Sequence, residues 1–168
     1  METKKLKKLQ ACEEAVEWAS QQKSFPSAWE ACERGDWMLW LAYKLRIDDR
    51  KLTMAKYHCA AQVLHLMKDK RSIDAMAAAL KYANDEIDRN ELDVYASAAY
   101  AVIRSGLIEH AASAAASYAA SAASAASYAA IYASASSAAS STASLKASAD
   151  ICREYLTEEV LLSYENYK

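Results

Sequence analysis

Apolar positions recur at three- and four-residue intervals from the start of the chain: Leu6, Leu9, Cys12, Val16 and Ala19. This spacing places them on one helical face and predicts a first helix over 4–20. The polar loop 21–26 ends it. Pro26 suits the start of a second short helix to residue 33, where its missing N–H costs nothing. Gly35 suits that helix's left-handed cap, and Asp36 suits the N-cap of a third helix over 37–45. Asp48 or Asp49 starts a longer helix to about residue 67, Ser72 caps another to 84, and Asn90 caps 91–105 with Gly106 closing it. Short connections favour antiparallel neighbours. The predicted fold is all-α, a compact antiparallel helical bundle or short helical solenoid in a single domain over 1–168.

Between Ala111 and Ser144 the pattern changes: 29 of 34 residues are Ala or Ser, with no charge, Gly or Pro. Ala has the highest helix propensity, and a methyl surface lets a second helix axis approach to about 8 Å. As one helix, 107–155 would be about 73 Å long at ~1.5 Å per residue, against a diameter near 40 Å for a domain of this size. The serine face is lost between Ser134 and Ser137. The pattern therefore predicts a turn there, an Ala-rich antiparallel pair over 108–133 and 137–155, and a last short helix capped by Thr157.

Composition narrows the class further. Two Gly and one Pro are too few for an all-β chain. A net charge of −2 leaves no footprint for nucleic acid, and Lys4, Lys5, Lys7 and Lys8 read as a solvated first turn. The N-terminus has no apolar signal segment and the Ala/Ser run holds only Ile131 among strongly lipid-favouring residues, so a cytoplasmic protein without membrane insertion is expected. Cys12, Cys32, Cys59 and Cys152 are widely spaced and form no CxxC pair, which suits reduced, core-packed thiols.

Patterns that carry chemistry are sparse. His58, Gln62 and His65 share a helix face but belong to no metal-binding motif, and neither a GxSxG elbow nor a phosphate-cradling glycine loop occurs. No cofactor, metal or catalytic residue is expected. The helix holding Trp37, Trp40 and Tyr43 concentrates aromatic area beside Lys44, Arg46 and Arg50, and reads either as core or as the edge of a binding groove. The acidic connector Asp85, Glu86, Asp88, Glu91 and Asp93 reads as a solvated turn.

Three segments resemble a known family. Gly35-Asp36-Trp37-Met38-Leu39-Trp40-Leu41, then Cys59-Ala60-Ala61-Gln62-Val63-Leu64, and finally Ala149-Asp150-Ile151-Cys152-Arg153-Glu154-Tyr155-Leu156-Thr157 are similar to the Imm-5-like immunity proteins of bacteria and phages. Ser stands in the Ala-rich segment where members carry Asp and Arg. The resemblance implies an all-helical, non-enzymatic protein that neutralises a toxin-like protein by stoichiometric binding. The alternative is a binder that sequesters an anionic metabolite or nucleotide signal. The candidate contacts are Trp37, Trp40, Tyr43, Arg46, His58, Tyr118 and Arg153, and a homo-oligomer stays open. A concave Trp- and Arg-lined pocket would favour the ligand class, and a flat apolar patch the protein class.

Overall fold

A computed structural model describes residues 3–62, 64–66, 69–104 and 142–168, and every regular element among them is helical. In chain order these are α1 (Lys4–Lys8), α2 (Glu13–Ser20), α3 (Phe25–Ala31), α4 (Gly35–Lys44), α5 (Asp49–Ala61), α6 (Lys70–Ala83), α7 (Arg89–Arg104) and α8 (Thr142–Asn166), with a 3₁₀ turn at Leu64–Leu66. The predicted all-α bundle is the observed fold. The Ala-rich pair over 108–133 and 137–155, its turn, and the cap at Gly106 fall wholly or partly on 105–141, outside the described residues.

Helix α8 packs along α4 and α5 and touches α3, whereas α6 lies between α5 and α7. One buried cluster joins α1–α4 and the first half of α5 to α8 through residues such as Trp29, Met38, Leu52, Cys152, Leu156 and Val160. A second joins the end of α5 to α6 and α7 through Ala60, Met76, Tyr82 and Leu92. Helix α5 thus serves both.

The seam between α4 and α8 explains Gly35. Expected as a left-handed cap, it is instead the first residue of α4, and a Cβ there would sit 2.5 Å from the Ser148 Cβ and 2.7 Å from the Ala149 backbone nitrogen. Glycine is required by close approach, because such a methyl could be admitted only by moving backbone.

One left-handed residue splits the expected first helix, and two more close helices that end within a residue of expectation. The first helix breaks into α1 and α2 at Gln10, whose φ is 67°, and Arg46 (φ 56°) and Asp85 (φ 64°) follow α4 and α6 in the same left-handed conformation. Each closes a paired hydrogen-bond cap: Gln10 N–H to Lys7 O with Ala11 N–H to Leu6 O, Arg46 to Tyr43 with Ile47 to Ala42, and Asp85 to Tyr82 with Glu86 to Lys81. These are Schellman closures with a side-chain residue where Gly is usual.

Asp48 caps α5 as expected, accepting from the Arg50 and Lys51 amides, whereas other N-caps shift by a few positions: Ser24 rather than Pro26 opens α3, Asp69 replaces Ser72, and the Asp88 carboxylate accepts from the Glu91 amide. Ser72 is fully buried. Thr157 starts no new helix, since α8 runs through it and its hydroxyl donates back to the Arg153 carbonyl at 2.6 Å.

The basic start is structural as well. Lys5 donates to the carbonyls of Tyr164 and Glu165, and Lys8 to that of Lys168, each at 2.8 Å. These ammonium groups satisfy orphan acceptors at the negative end of α8.

Candidate functional site

All four tryptophans of the chain line one cavity of about 270 Å³. Trp37 and Trp40 come from α4, Trp29 from α3 and Trp18 from α2, with Phe25, Leu6, Met38 and Leu41 completing the apolar lining. The polar rim is Cys12, Glu14, Arg34 and Asp36. Trp18 and Trp37 meet at a centroid distance of 6.1 Å and a 59° tilt, a favourable aromatic geometry that fixes two walls against each other.

The local sequence explains this convergence. Trp37 and Trp40 lie three apart and therefore share a helix face, and Met38 and Leu41 of the same helix also line the cavity. Trp29 is held in place because its indole N–H donates to the Thr157 hydroxyl at 2.8 Å, anchoring α3 to α8. Phe25 stacks on Tyr164 at 3.5 Å, placing the end of α8 behind that wall.

Arg34 organises the rim. Its Nε and Nη2 fork onto Asp36 at 2.9 and 2.7 Å, Nη1 reaches Glu14 at 3.3 Å, and its guanidinium lies 4.4 Å above the Trp37 ring. The Asp36 hydrogen bond, reinforced by the neighbouring carboxylate charges, raises the Arg34 pKa, so Arg34 stays protonated throughout. Lys44 stands 5.8 Å over the Trp40 ring. Burial pushes the Cys32 thiol up, which leaves it neutral and unreactive, whereas Cys12 is exposed at the cavity mouth.

Of the residues expected to form a site, Trp37 and Trp40 line the cavity. Tyr43 packs half-buried against the core, and Arg46 is an exposed helix-closing residue. His58 stacks on Tyr155 at 4.7 Å, with its Nε2 3.0 Å from the Tyr155 hydroxyl, and Gln62 donates to the Ser148 hydroxyl at 3.1 Å. That face therefore forms the seam between α5 and α8, and His65 sits apart in the 3₁₀ turn, exposed. Arg153 donates to the carbonyls of Trp29, Glu30 and Cys32 at 3.3, 3.1 and 2.8 Å and closes the C-terminus of α3. Tyr118 lies outside the described residues.

Trp18, Trp29, Arg34 and Glu14 carry no local sequence signal for a site, and Cys12, expected as a core-packed thiol, is instead exposed, unlike the other three cysteines. The available signal was scarcity, since a chain with only four tryptophans invites the question of whether they meet. Among the described residues no group of three or more His, Cys, Asp or Glu comes together to hold a metal ion. None of the described helices is long and apolar enough to cross a membrane.

No family model matches this chain, and no curated protein or solved structure matches it.

Proposed function

We propose that this protein acts by stoichiometric binding rather than catalysis, neutralising a toxin-like protein by taking one of its apolar side chains into the four-tryptophan cavity. The observation that carries this reading is the convergence of Trp18, Trp29, Trp37 and Trp40 on one concavity with a charged rim. Buried aromatic anchors ringed by polar groups are the usual centre of a binding interface. The resemblance to Imm-5-like immunity proteins supports a protein partner. By the criterion of pocket against flat patch, a concave Trp- and Arg-lined cavity favours a free small-molecule ligand, the resemblance favours a protein, and the test separates the two.

Immobilised wild-type protein is used to capture partners from the native host, in parallel with Trp37→Ala and with the wild type in excess 4-nitrobenzyl alcohol. The expected result is one protein retained near one copy per protomer, lost in the variant by the equivalent of about 1–4 kcal/mol, and displaced by the ring compound. Retention unchanged by both the variant and the competitor would refute the cavity as anchor. A small molecule co-purifying with no protein would replace the toxin with a free ligand, and turnover of a target at substoichiometric protein would refute binding as the mode of action.

A further inference from the structure

We infer that the cavity selects a single uncharged, ring-sized group and rejects both anions and cations of the same shape. This rests on the binding reading above and names the chemistry that reading would use.

Size sets the first limit. About 270 Å³ lies just below the ~300–1,000 Å³ of ordinary small-molecule sites, which is room for a ring and little more. Charge sets the second. An incoming anion would need Arg34, yet all three guanidinium nitrogens are engaged by Asp36 and Glu14, and those carboxylates stand at the same rim. An incoming cation would need an open indole face. Arg34 already covers Trp37 and Lys44 already covers Trp40.

Each charge thus meets like charge at the cavity, the Asp36 and Glu14 carboxylates for an anion and Arg34 and Lys44 for a cation, and gives up hydration on entering an apolar space, which is disfavoured. A neutral ring meets neither obstacle. Trp29 commits its indole N–H to Thr157, whereas Trp18, Trp37 and Trp40 make no indole hydrogen bond among the described residues.

Helix α2 is the wall best able to admit it. It buries only Ala19, begins just after the left-handed Gln10, and forms no extended seam of the kind α8 makes with α4 and α5. Its links across the rim are the Trp18–Trp37 ring contact and the Arg34–Glu14 pair, and Glu14 is 72% exposed, which makes that pair weak.

The test compares three quenchers of one shape: neutral 4-nitrobenzyl alcohol, anionic 4-nitrobenzoate and cationic 4-nitrobenzylammonium. Because every tryptophan lines the cavity, intrinsic emission reports on it directly. The neutral probe should quench saturably at one per protein, and both charged probes should bind at least about tenfold more weakly. Cys12 provides a second readout, since it lines the cavity and is the exposed thiol, so iodoacetamide should alkylate it several-fold more slowly when the neutral probe is bound. A charged probe binding as tightly as the neutral one, absence of saturable quenching, or saturation that leaves Cys12 alkylation unchanged would each overturn the inference. If the ring binds but displaces no captured protein, the selectivity stands and the protein-anchor reading fails. If a protein is captured but no ring binds, the selectivity fails.

Discussion

Lys56 is buried in α5, with its ammonium facing Asp49 and Arg89, and burial lowers its pKa from 10.5 to about 8. Between those values the unfolded chain binds more protons than the folded one, so this residue makes stability rise with pH. Below about 8 the full cost stands, about 3 kcal/mol at ~1.36 kcal/mol per pH unit. Replacement by Met leaves Asp49 hydrogen-bonded to Tyr82 and paired with Arg89. Lys56→Met should therefore exceed the wild type in stability at pH 7 by up to about 3 kcal/mol, with the advantage vanishing near pH 10.5. Denaturant melts of both proteins at pH 7, 9 and 10.5 check this, because the thiols and phenols that titrate in that range are common to both. An advantage independent of pH would show that packing, not charge burial, sets the difference. Nothing in the sequence marked Lys56, since a lysine at this spacing ordinarily lies on a solvated face.

Helix order was legible in the chain, and so were the stops of α2, α4 and α6, each within one residue; the break at Gln10, the early end of α5 at Ala61 and the unbroken run of α8 through Thr157 were not. The usual closing residue is Gly, and the chain has only two. The closures use Gln10, Arg46 and Asp85 instead, and of these only Asp is a residue type enriched in a left-handed backbone. For the same reason Arg46 looked like a binding residue. An L residue held left-handed costs about 1–2 kcal/mol, and a glycine adds about 0.4–1 kcal/mol of unfolded-state entropy. Arg46→Gly should thus raise stability by roughly 0.5–1 kcal/mol and leave ring binding unchanged. Thermal melts and the emission titration measure both, and a loss of binding would return Arg46 to the site. Arg153 shows the converse problem: it was a candidate contact, whereas the carbonyls it satisfies close α3, over 120 residues earlier in the chain.

At the scale of the molecule, α8 connects the parts. It seats against Gly35 at the start of α4, receives the Trp29 indole from α3, meets His58 and Gln62 of α5, and is closed at its end by Lys5 and Lys8 of α1. This arrangement holds α3 and α4 so that their tryptophans face one space, while α2 contributes the fourth from the outer side. Trp37 and Trp40 were readable as a pair because they share a helix. Their meeting with Trp18 and Trp29 depends on chain crossings that periodicity does not encode. The central claim is that this space receives a ring, and the most direct measurement is a crystal structure of the protein with 4-iodobenzyl alcohol, whose iodine is located by anomalous scattering. The account predicts one dominant iodine peak inside the cavity bounded by Trp18, Trp37 and Trp40. A dominant peak elsewhere, or a cavity left without iodine at saturating compound, would contradict it.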